Sequence, residues 1–161
     1  AMQTGEVDFM NVIQGTLLPA AQKMPQLMTL AQGSTSPWWL EFPGWENPGN
    51  PFHDVRVRQA ASLALDRKAI SEKLFEGKQP VADGPISQLD PMFTPDTRHY
   101  AYAPAEARKL LDEAGFTDIR QGIRHNGKSE KLSLELTTTA GNRVRELVSQ
   151  VIQRRPHCSA T

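Results

Sequence analysis

Cysteine is nearly absent from this 161-residue chain, with Cys158 as its single example. An intramolecular disulfide framework and a cysteine zinc site are therefore excluded. One thiol fits either redox compartment. An excess of charge of one sign is also missing, since 18 Lys and Arg balance 18 Asp and Glu for a formal net charge of zero. That leaves no basic stripe for nucleic acid and no general attraction to an anionic membrane. Apolar runs reach only a few residues, so no transmembrane helix is encoded. The opening Ala1-Met2-Gln3-Thr4-Gly5-Glu6 has neither the basic start nor the apolar stretch of a signal peptide. Aromatics make up 7% of the residues, yet all three tryptophans fall between positions 38 and 45.

The remaining composition is that of a folded domain, with 39% hydrophobic residues and a mean hydropathy of −0.48. Glu6 to Ile13 alternates and then turns apolar, which predicts a short strand. Leu17 to Met24 predicts a brief helix stopped by Pro25. Gln26 to Ala31 and Pro37 to Phe42 read as strands, the second rich in bulky side chains. Residues 43–51 form a dense Pro-Gly-Asn turn region. Asp54 then reads as a helix N-cap, and Val57, Ala60, Ala61 and Ala64 recur at the spacing of one small apolar helical face. Asp66 reads as the cap of a second helix with Ile70 and Leu74 inward, and Gly77 is placed to end it in a left-handed conformation.

A long irregular connection follows, carrying Pro80, Pro85, Pro91 and Pro95. Pro104 suits the first turn of a third long helix with Ala107, Leu110, Leu111 and Ala114 inward and Gly115 at its end. Arg108–Asp112 and Lys109–Glu113 are spaced to pair along it. Asn126-Gly127 signals a hairpin joining 122–125 to a strand over 132–138. A last helix is expected from about Asn142 to Gln153, with Val144, Leu147, Val148 and Val151 inward. Strands, helices, a hairpin and a helix in this order favour a layered α/β or α+β domain.

Motifs for chemistry are sparse. His53, His99, His125 and His157 are scattered without metal-ligand spacing and read as ordinary loop or surface residues. No glycine-rich phosphate loop, G-x-S-x-G or C-x-x-C occurs. Ser34, Thr35 and Ser36 have no histidine nearby in sequence, and the acidic pairs Glu6/Asp8 and Asp112/Glu113 read as solvated charge. No catalytic residue, metal site or cofactor is expected. The cluster Trp38, Trp39, Phe42 and Trp45 has two readings: core packing with a loop anchor, or an aromatic wall facing a ligand. On a strand, Trp38 and Trp39 would face opposite sides, so one can be core while the other lines a cleft.

Four segments resemble a known family. Pro51-Phe52-His53-Asp54-Val55-Arg56-Val57-Arg58-Gln59-Ala60 and Ala64-Leu65-Asp66-Arg67-Lys68-Ala69-Ile70 are similar to a pattern of the oligopeptide- and dipeptide-binding proteins of solute-binding family 5. Gly5-Glu6-Val7-Asp8 resembles an early strand of the same family, and Tyr102 to Gly115 its "Y-P--A--LL-EAG" helix. The four occur in the family's order. Ala103 departs from the pattern, which has Asp before the proline, so that helix loses a side-chain cap at a cost of about 1 kcal/mol.

The resemblance implies an α/β, type II periplasmic-binding-protein-like lobe, a mixed sheet flanked by helices. Residues 1–153 would form much of one lobe, and 154–161 a tail unlike the family's continuation. It implies a substrate-binding role, not an enzymatic one, in ABC-transporter uptake of peptides or related small solutes. The partners would be a peptide or small-molecule ligand, an ABC permease and a first lobe that this chain lacks. The location would be periplasmic or extracytoplasmic. Cleft-lining positions of the family would match Asn11, Val12, Trp39 and Glu41. A stand-alone, self-associating interaction module is the alternative, and a hydrolase a third.

Overall fold

The computed structural model describes residues 2–11, 13, 17–30 and 36–153. Val12, Ser34, Thr35 and the tail 154–161, including Cys158, lie outside the described residues. The regular elements are α1 (Leu18–Gln22), α2 (Val55–Leu63), α3 (Arg67–Phe75), α4 (Pro104–Glu113), β1 (Asp118–Arg120), β2 (Ile123–His125) and α5 (Arg143–Gln153).

The centre of the molecule is the packing of α2 against α4. Ala60 and Ala107 are both fully buried, so small side chains let the two helices approach closely. Phe52, Val57, Leu63, Ala64, Leu111 and Phe116 complete the core, with Phe42, Tyr100 and Leu132 packed at its edge. The Asp54 carboxylate accepts from the Arg56 amide at 2.8 Å and caps α2. Asp66 caps α3 through the Ala69 amide at 2.9 Å. Ala103 offers no side-chain cap to α4.

The end of α4 is a Schellman turn. The Phe116 amide donates to the Leu111 carbonyl and the Gly115 amide to that of Asp112, both at 2.9 Å. Gly115 sits at φ +90°, where a side chain is unfavourable. The turn drops Phe116 onto Leu111, the hydrophobic contact that accompanies this motif. At the end of α3, both Glu76 and Gly77 are left-handed, and the Gly77 amide donates to the Ser71 carbonyl at 3.1 Å.

Arginines tie these elements together. Arg56 pairs with Asp54 at 2.6 Å and donates to the Glu113 carbonyl at 2.5 Å, placing a cation at the C-terminal end of α4. Arg58 donates to the carbonyls of Phe52 and His53 at 2.5 and 3.0 Å. Arg67 donates to the Tyr100 carbonyl at 2.9 Å and Ser62 Oγ at 2.5 Å, which anchors the far end of the long connection to α2. Burial pulls the Arg67 guanidinium below the usual arginine value. The Arg56 side chain holds the Asp54 carboxyl below the ordinary aspartate range.

Several sequence expectations are corrected. The brief helix is Leu18–Gln22, shorter than 17–24. Among the described residues, the segments expected as strands near 6–13, 26–31, 37–42 and 132–138 carry no ladder, and the sheet is the two-stranded β1–β2 pair. Alternation produces extended backbone, but a ladder also needs a paired neighbour, and among the described residues these segments find only the His125–Lys131 bridge and the bond from the Leu132 amide to the Arg124 carbonyl at 2.7 Å. The hairpin turn is Gln121-Gly122, with both residues at positive φ. Asn126-Gly127 also reverses the chain, as expected, but through a longer loop. Asn126 Oδ1 accepts from the Lys128 and Glu130 amides at 3.0 and 2.9 Å, and Ser129 takes the left-handed position. The chain then returns with a single bridge, His125 to Lys131. Asp112 pairs with Arg124 rather than with Arg108, because Arg124 is buried and also donates to the Phe116 carbonyl at 2.7 Å.

Candidate functional site

The aromatic segment runs extended into the turn region. Its residues divide by partner. Trp38 meets Phe75 of α3 edge-on, with ring centroids 6.3 Å apart, and the Arg145 guanidinium of α5 lies 5.5 Å from the Trp38 ring. Phe42 packs on Phe52 at 4.1 Å, joining the segment to the core. Trp45 lies under the Arg58 guanidinium at 5.1 Å. Trp45's carbonyl is 3.1 Å from His53 Nδ1, so this tryptophan anchors the turn to the start of α2.

Trp39 behaves differently. Trp38 and Trp39 are both exposed, at 55% and 62%, so neither is core, against the expectation for one of them. What distinguishes Trp39 is that its indole nitrogen donates to Glu41 Oε1 at 2.9 Å. Two residues apart on extended chain, the two side chains share one face. The bond holds the carboxylate beside the ring and fixes the ring's edge. Glu41 also borders an open depression of about 450 Å³, lined further by Phe42, Pro43, Gly44, Trp45, Glu46 and Arg58.

Of the four sequence-predicted cleft residues, Trp39 and Glu41 are thus brought into direct contact. Asn11 is exposed, and no bond from it to the Trp39–Glu41 pair is present among the described residues. Val12 lies outside the described residues. Glu46 and Arg58 on the rim of the depression were not singled out as site residues. Arg58 belongs to the helix motif, and Glu46 sits in a turn, where neither periodicity nor spacing marks a wall. No group of three or more His, Cys, Asp or Glu able to hold a metal occurs among the described residues. No helix among them is long and apolar enough to cross a membrane.

The fold is that of a type II periplasmic-binding-protein lobe, on the strength of the solved structures it matches. The Bacillus subtilis oligopeptide-binding protein AppA, solved with a nonapeptide, superposes with a TM-score of 0.79 at 30% identity over 98% of this chain and 31% of that one. The oligopeptide-binding protein of Thermus thermophilus, solved with a pentapeptide, gives 0.62 at 33% identity over 67% of this chain and 18% of that one. The profile of bacterial extracellular solute-binding proteins, family 5 (middle), matches residues 1–155, and the chain belongs to this family.

In sequence, the chain is 31% identical to AppA over 94% of its own length and 28% of that protein's. It is 29% identical to the heme-binding protein A of Haemophilus influenzae over 84% of this chain and 25% of that protein. The chain therefore spans between a quarter and a third of these relatives' length. Another similar protein is the nickel-binding periplasmic protein of Escherichia coli, at 27% identity over 95% of this chain and 29% of that protein. Members of this family are solute-binding components of transport systems and not enzymes, so the hydrolase reading falls away.

Proposed function

We propose that this chain supplies part of one lobe of an extracytoplasmic receptor that captures peptides or related small solutes for an ABC permease. The observation carrying this reading is the match to AppA over nearly the whole chain, in a structure that holds a nonapeptide. In such a receptor two lobes close around the ligand by hinge motion. Trp39, Glu41, Asn11 and Val12 line the cleft in this reading, and main-chain hydrogen bonds to an extended ligand give affinity without selecting its sequence. The helices α2 and α4 are scaffold, holding the aromatic segment through the Phe42–Phe52 contact. Calorimetry of the chain with a nonapeptide tests the reading. One wall of a cleft binds weakly, with a Kd of about 100 μM or above. Submicromolar binding by this chain alone would contradict it.

A second reading, a self-associating module, is favoured by one quantity. The chain exposes 11756 Å², whereas a compact monomer of 17.9 kDa exposes about 8,000 Å². Met28, Leu30, Phe9 and Met92 are all largely exposed. In the receptor reading, further polypeptide of the receptor covers this surplus; in the second, another copy does. Light scattering separates the two, since a strict monomer at high concentration excludes the self-associating module.

A further inference from the structure

We infer that the Trp39–Glu41 pair is a subsite for a cationic group, the lysine or arginine side chain of a peptide ligand; this rests on the reading that the pair faces the ligand cleft. The three tryptophans provide the comparison. Trp38 and Trp45 each carry an arginine of the chain itself over the ring, at 5.5 and 5.1 Å. Their faces are already used by cations that hold the fold together. Trp39 is the most exposed of the three, and no cation of the described residues lies over it. Instead it has a carboxylate at its edge, 2.9 Å from the indole nitrogen.

The combination is selective on physical grounds. An aromatic face attracts a cation through its quadrupole. A carboxylate beside the ring adds a full negative charge, and its hydrogen bond from the indole leaves the second oxygen to accept from an ammonium or guanidinium group. The indole bond also fixes the carboxylate in place before the ligand arrives, which lowers the ordering cost of binding. Glu41 and Glu46 both border the depression beside this pair, and neither makes an ion pair with a described residue. The cation on its rim, Arg58, is engaged with two carbonyls and the Trp45 ring. The local field therefore favours positive charge and opposes an acidic side chain.

The test uses three alanine pentapeptides, acetylated and amidated at their ends, with lysine, norleucine or glutamate at the centre. Binding is read from the Trp39 indole N–H resonance of the 15N-labelled chain, assigned with Trp39→Phe. The lysine peptide should bind about tenfold more tightly than the norleucine peptide at low salt, with the glutamate peptide weakest. Glu41→Gln should reduce the preference for the lysine peptide over the norleucine peptide to about twofold. Equal shifts of the Trp39 resonance by lysine and norleucine peptides would overturn the cationic subsite and leave the cleft reading standing. No Trp39 shift from any of the three would overturn both. A lysine advantage that persists in Glu41→Gln and vanishes in Glu46→Gln would overturn the assignment to this pair.

Discussion

Leu111→Ala probes the packing on which the fold depends. Leu111 is 2% exposed and lies between α2 and the Schellman turn that brings in Phe116. Truncating it removes the transfer energy of the lost carbons and leaves a cavity, together about 3 kcal/mol within a range of roughly 2–5 for such sites. Leu134 provides the contrast. It is 53% exposed, so Leu134→Ala should change stability by less than about 0.5 kcal/mol. Urea titration followed by helical circular dichroism measures both. With a denaturant slope of about 2 kcal/mol/M, Leu111→Ala lowers the midpoint by about 1.5 M, or abolishes the folded baseline if the whole is less stable than that. The core is small, nine buried apolar residues among those described, so the second outcome equally fits. A Leu111→Ala midpoint unchanged from the parent, or a Leu134→Ala effect as large, would refute the assignment of the core to the α2–α4 contact.

Two further substitutions test the helix ends. Asp54 has its carboxyl held below the ordinary range by Arg56, so its stabilisation is present above the unfolded value and is lost as pH falls through the lower folded value. Asp54→Asn keeps the cap acceptor but not the charge. The stability difference between parent and Asp54→Asn should be largest near neutral pH and shrink progressively as pH falls from about 5 to about 2; a difference independent of pH contradicts this account. Ala103 precedes Pro104 without a side-chain cap. Ala103→Asp should stabilise by about 0.5–1 kcal/mol, seen as a rise in Tm, and an unchanged or lowered Tm would show that the position cannot act as an N-cap.

The α2–α4 scaffold is legible in the sequence because its determinants are local. Asp54 and Asp66 lie one residue before their helices, and Val57, Ala60 and Ala107 fall on helical spacing. Phe116 had a signal too: an aromatic residue directly after the glycine that ends a helix is placed to fold back on it. The sheet is less legible. Strand-like alternation in 37–42 and 132–138 reports extended backbone, while pairing depends on segments distant in the chain. Both turns reverse the chain: Gln121-Gly122 tightly between β1 and β2, and Asn126-Gly127 through a longer loop in which the Asn126 side chain accepts from the Lys128 and Glu130 amides. Arg124 was unreadable as a core residue, since its burial depends on Asp112 and the Phe116 carbonyl meeting it from another element.

For the site, the division of Trp38 from Trp39 follows from the alternation of extended chain. Both rings stay exposed, and which of them is occupied by partners of the chain itself does not follow, because it depends on Phe75 and Arg145, both distant in the chain. The indole–carboxylate bond of Trp39 and Glu41 is a two-residue spacing with no distinctive pattern of its own.

The central claim, that the aromatic segment is the ligand-facing wall, is tested most directly by photo-crosslinking. A nonapeptide carrying a benzophenone side chain is irradiated with the chain, and the adducts are mapped by mass spectrometry. The account predicts adducts concentrated in residues 36–46, with Trp39→Ala reducing them. Adducts concentrated on the outer faces of α2 and α4, or unaffected by Trp39→Ala, would contradict it.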